Sequence, residues 1–197
     1  VATLSVAAQI NGTDYGTVGT CGVTALPMVA VSFGAYADGD CHFDIRDIKV
    51  GTGGYGSSDL FAPALTSLAE FSGVFDADGS IVASGGVLSV DGTSDHYAYF
   101  RFPIGQVGSV AIEFGLRVRG GDNDPDYCDI WNDISQLPAD GSNLDGIFNS
   151  GGAWSMNGCG GNFGDGPSGD PTWDLIDLMF TLAGVAPPVP PAIHIAS

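Results

Sequence analysis

The amino-acid sequence predicts an all-β chain folded as an antiparallel β-sandwich, and three observations carry that expectation. Glycine occupies 31 of 197 positions, far above the usual ~7 %, and strong helix formers are scarce. Ser109 to Arg119 alternates strictly. Val110, Ile112, Phe114, Leu116 and Val118 share one face, and Glu113, Arg117 and Arg119 the other, as in a strand with one buried side. The first ten residues repeat the pattern, Ala2, Leu4, Val6, Ala8 and Ile10 against Thr3, Ser5 and Gln9, and end on the turn dipeptide Asn11-Gly12.

Taken in order, strands are predicted over residues 1–10, 17–25, 28–36, 41–50, 65–75, 80–90, 95–102, 108–119 and 173–183. In 95–102, Ala98, Phe100 and Phe102 oppose Tyr97, Tyr99 and Arg101. Cys41, Phe43 and Ile45 keep one parity while Ile48 and Val50 take the other, which reads as a bulge or a change of sheet. Leu60, Ala64, Leu65 and Leu68 also suit a short helix, with Pro63 in its first turn. Over 172–183, Trp173, Ile176 and Phe180 have helical spacing, whereas Ile176, Leu178, Phe180 and Leu182 alternate. A closing strand is taken there because it suits a sandwich.

Three segments follow: a candidate donor strand over 1–10, a single β-sandwich domain over 11–184, and a tail over 185–197. The stretch of about 120–171, dense in Gly, Asp and Asn, reads as a long loop stapled by a Cys128–Cys159 bridge and pinned by Trp131, Phe148 and Trp154, either a plain surface loop or a binding and contact loop. The tail carries Pro187, Pro188, Pro190 and Pro191, which impose an extended arm.

Twenty-three acids against five Lys and Arg leave a net charge of −18. That balance excludes nucleic acid, which demands clustered Lys and Arg, and disfavours anionic membranes. No leader peptide and no apolar run of about 18 residues is visible, so the chain reads as a mature, exported, secreted protein without a membrane span. Cys21, Cys41, Cys128 and Cys159 lack zinc-ribbon spacing. Sequential disulfides, Cys21–Cys41 and Cys128–Cys159, are expected because each pair brackets one Gly/Asp-rich excursion.

Acids recur as Asp38-Gly39-Asp40, Asp76-Ala77-Asp78-Gly79 and Asp122-Asn123-Asp124-Pro125-Asp126. Calcium takes several hard oxygens, which makes Asp122, Asp124 and Asp126, and secondarily Asp76 and Asp78, the calcium candidates. No segment completes an EF-hand, so a solvated turn competes at each cluster. His42, His96 and His194 show no zinc motif, and no nucleophile-elbow, P-loop or dinucleotide motif occurs. No catalytic residue is assigned, and the chain is not read as an enzyme. Asn11-Gly12-Thr13 is a glycosylation sequon that doubles as a turn.

The alternating strand at Ala2, Leu4, Val6, Ala8 and Ile10, the Gly/Asp-rich β body and the extended tail resemble extracellular, pilin-like filament subunits joined by donor-strand exchange. The resemblance is architectural. It implies a jelly-roll or Ig-like body whose groove is filled by a neighbouring subunit's strand, and hence a homopolymeric cell-surface appendage with the chain itself as partner. The Pro-rich tail is a second candidate arm and leaves the direction of donation open. The alternative is a secreted, calcium-stabilised carbohydrate-binding or adhesion module using Tyr97, Tyr99, Trp131 and Trp154.

Overall fold

The computed structural model describes residues 1–23, 26–35, 40–76, 79–92, 96–121, 125–134 and 143–185. β1 (Ala2–Ile10) turns into β2 (Thr13–Val23) through Asn11 and Gly12, whose φ values of 50° and 78° make the two-residue turn that matches strand twist. β3 (Met28–Ala35) and β4 (Cys41–Gly51) follow. The parity slip in β4 is a bulge between Arg46 and Lys49, with Asp47 at φ 52°.

The strand predicted over 65–75 forms only at its end, and the short helix suggested over 60–71 does not form. The segment contains one 3₁₀ turn, Leu68–Glu70, capped by Ser67, and only then β5 (Gly73–Asp76). Glu70 explains the difference: its carboxylate accepts from the backbone N–H of Ala64, Thr66 and Ser67. Those bonds hold the Glu70 carboxyl down to about 2, with the Thr66 hydroxyl the leading cause. The run 80–90 splits into β6 (Ile81–Ser84) and β7 (Val87–Gly92) around Gly85-Gly86, both at positive φ. β8 (His96–Gln106) and β9 (Gly108–Gly121) match their predictions and extend them. The expected long loop is largely sheet: β10 (Asp126–Trp131), β11 (Asn143–Ser150), β12 (Ala153–Met156) and β13 (Asn162–Asp165). β14 (Asp174–Ala183) is the closing strand, not a helix.

Two seven-stranded antiparallel sheets pack face to face. One has the order β2-β1-β14-β9-β4-β7-β6, the other β13-β12-β11-β10-β3-β8-β5. Their inward side chains form one core that includes Leu4, Val6, Phe33, Phe43, Phe114, Trp154 and Phe180.

One expectation is corrected here. The disulfide is Cys21–Cys159, with Cα atoms 4.8 Å apart, while Cys41 and Cys128 are free and buried. Bracketing of loops misled because β2 is an edge strand lying against the chain between β12 and β13. Thr20 N–H donates to Cys159 O, and Gly19 bridges Gly160. A Cβ on Gly19 would stand only 3.0 Å from the Cys159 carbonyl carbon, so glycine permits this approach. Cys41 and Cys128 instead pack as small apolar groups, and burial pushes the Cys41 thiol up to about 11 and Cys128 well above its usual value.

β1 lies inside the first sheet. Its inward residues Ala2, Leu4, Val6, Ala8 and Ile10 fill the chain's own core rather than standing free for a neighbour. Both edges of β1 are paired, to β2 and to β14. A two-residue hairpin leaves no slack for this strand to leave while β2 stays in place.

Candidate functional site

Three places gather polar or terminal features. The first is the β1–β14 seam, where the first and last of the described strands pair from Thr3↔Ala183 to Ile10↔Ile176. Val1 is fully exposed, and a Cβ on Gly184 would lie 3.7 Å from Val1 O, so both strands open to solvent at the same end of the sandwich. The other end is latched. Asn11 donates from Nδ2 to Asp174 Oδ1 and accepts from Leu175 N–H, both at 2.8 Å. The sequon asparagine is thus a structural clamp, and its amide is engaged.

The second place is the outward face of the β14-β9-β4-β7 strands, which collects four of the five basic residues. Asp44 accepts from Ser89 Oγ at 2.7 Å and sits against Arg117 and Arg119. Arg119 reaches on to Asp91, which also contacts His42 Nδ1 at 2.8 Å. Arg46 and Arg117 lie over the Trp173 ring at 4.1 and 4.9 Å, a favourable cation–π geometry. Further along, Lys49 pairs with Glu113, and Glu113 is the register partner of Asp177. Burial and the Glu113 charge push the Asp177 carboxyl up from 3.8 to about 6, against the pull of Lys49.

That shift gives a pH prediction. The folded protein favours protonated Asp177, so the stabilisation is complete below the unfolded value near 4 and is lost as pH rises through about 6. Asp177→Asn is expected to raise the melting temperature at neutral pH, by on the order of 1–3 kcal/mol in stability. The gain should vanish below about pH 4. Melting curves of both proteins across this range check it, and an equal gain at every pH would contradict it.

The third place is the β5–β6 corner. His96 is buried, with Nδ1 3.0 Å from Asp76 Oδ1 and Nε2 2.8 Å from Ser80 Oγ. The contact order is that of a hydroxyl–imidazole–carboxylate triad. However, a Cβ on Gly92 would be 2.3 Å from His96 Nε2 and 2.6 Å from Ser80 Oγ, so the Gly92 backbone closes over the contact. Asp76 Oδ1 also accepts from Gly79 and Ser80 N–H. The cluster joins the edges of the two sheets.

Of the calcium candidates, only Asp76 and Asp126 lie among the described residues. Asp122, Asp124 and Asp78 lie outside the described residues. Asp126 accepts from Asn157 Nδ2 at 3.0 Å on β10, two intervening strands from Asp76 on β5. Among the described residues no group of three His, Cys, Asp or Glu side chains could hold a metal. Nor is there, among them, a helix long and apolar enough to cross a membrane. The aromatic candidates are mostly interior. Trp154 packs on Tyr127 in the core, and Tyr97 and Trp131 are buried edge-to-face at 5.9 Å, with Trp131 Nε1 donating to Ser32 Oγ. Tyr99 covers Gly73.

Sequence reading missed the Lys49–Glu113–Asp177 row and the Asp44 arginine cluster. Each residue sat on a recognised strand, but only the strand order makes β14, β9, β4 and β7 neighbours. Comparison with protein-family models, with curated proteins and with solved structures finds no match to this chain.

Proposed function

We propose that the protein is a structural subunit of a secreted extracellular filament, polymerising head to tail by β-strand complementation. The observation that carries the proposal is the β1–β14 seam. β1 supplies five fully or nearly fully buried side chains, from Ala2 to Ile10, and backbone pairing on both edges. An identical strand from another copy would make the same contacts. Exchange is heterologous, so repetition gives an open filament rather than a closed dimer. The Asn11-Gly12 turn and the Asn11–Asp174 clamp must open first, so the closed monomer is separated from the polymer by a barrier. The Cys21–Cys159 bridge suits an oxidising, extracellular setting. A carbohydrate-binding or adhesion module fits less well, because Trp154, Tyr97 and Trp131 are buried and offer no exposed aromatic platform.

Cross-linking tests the exchange. Ser5 and Thr181 are register partners across the seam, so Ser5→Cys with Thr181→Cys should bond within one chain in the monomer. In filaments the same pair should bond between chains and give a ladder of oligomers on a non-reducing gel. Filaments with only intrachain bonds would refute strand exchange, and a protein that stays monomeric at high concentration would refute the filament.

A further inference from the structure

On the second sheet, β8 and β3 fall out of step. Arg101 pairs with Ala30, but the next partners are Gln106 and Met28. Residues 102–105 of β8 therefore bulge opposite Val29 alone. Sequence explains the bulge: Pro103 has no N–H for the ladder, and Gly105 takes φ 66°. On the other side of β3, β10 stops at Trp131, opposite the same Ala30, and beyond it Ile134 packs against the cluster of Ala30, Tyr97 and Trp131. Between the bulge and the chain after β10 lies a cavity of about 300 Å³ lined by Val29, Arg101, Phe102, Gly105 and residues 132–134.

Arg101 stands at this cavity exposed and has no carboxylate partner among the described residues. The chain's other four Lys and Arg each contact one. With 23 acids to five such bases, an unpaired guanidinium beside a cavity is a conspicuous exception. A planar guanidinium suits a carboxylate bidentately. The rest of the lining suits something larger than a bare anion. Val29 and Ile134 offer apolar contact, while the Asn132 amide and the Asp133 carboxylate, itself already engaged, offer acceptors for hydroxyl hydrogens. Asp133 would repel a simple anion but can accept from a polyol.

We propose that this cleft binds one carboxylate-bearing sugar unit, a uronic acid, with its carboxylate on Arg101, its hydroxyls on Asn132 and Asp133, and its C–H face on Val29 and Ile134. The proposal does not rest on strand exchange and stands or falls without it.

The test is an NMR titration of the intact chain with methyl glucuronide, methyl glucoside, acetate and a short peptide with a free C-terminal carboxylate. Methyl glucuronide should shift amides clustered at 29, 101–105 and 132–134, binding at least about tenfold tighter than any of the other three. Arg101→Gln should abolish that preference with an unchanged melting temperature, and Arg101→Lys should retain part of it. Equal binding of acetate or peptide would reduce the site to carboxylate recognition and overturn the sugar assignment. Equal binding of the glucoside, an unaltered response in Arg101→Gln, or no clustered shift with the glucuronide would overturn the site itself.

Discussion

Val6→Asp is expected to abolish the cooperative unfolding transition of the isolated chain. Val6 is wholly buried, between Gly19 of β2 and Phe180 of β14. Losing its apolar burial costs about 1.5–3 kcal/mol. Desolvating a carboxylate there, or protonating it without a partner, adds several more. The sum approaches the roughly 5–15 kcal/mol that holds an ordinary domain together. Ser5→Asp, one position along on the outward face, should cost little. Circular dichroism melts of the two variants separate the alternatives, and near-native stability of Val6→Asp would contradict burial of this strand in its own domain. Peptide 2–10 added to the Val6→Asp protein links this to assembly, since restored melting would show that a strand from outside can fill the seam.

Replacing Cys21 and Cys159 together by Ser should lower stability by about 4 kcal/mol. The bridge spans 138 residues of sequence, and the entropy it removes from the unfolded chain grows with loop length. It also ties β2, at the edge of one sheet, to the strand pair β12–β13 at the edge of the other. Denaturant titration measures the loss. Peptide mapping without reductant should show Cys21 joined to Cys159, with Cys41 and Cys128 alkylated only after unfolding. A Cys21–Cys41 peptide would contradict the fold at that corner.

Local pattern sufficed for much of the architecture. Alternation in β1, β8, β9 and β14 set which side chains face inward, because a strand's side-chain period is two whatever its neighbours are. The parity change in β4 announced its bulge. Gly85-Gly86 and Asn11-Gly12 mark turns that need positive φ, although the strand predicted over 80–90 runs straight through Gly85-Gly86. Where pattern was weak the reading failed. β10 is buried along its whole length, so no polar alternation betrayed it among the Gly and Asp residues, and 60–75 was decided by the bonds of the Glu70 side chain.

Composition and periodicity by themselves determined that this chain would be all β, that it would pack two sheets, and which apolar residues would line the space between them. Those properties depend on each residue's own preferences and on neighbours two positions away. Which cysteines bond, which acids meet which bases, where the lone Arg101 finds a cavity, and whether β1 lies in its own sheet were decided by tertiary structure alone. Each depends on strands brought together from distant parts of the sequence. Glu113 meets Lys49 and Asp177 only because β9 lies between β4 and β14, and Cys21 meets Cys159 only because two sheet edges close on one another.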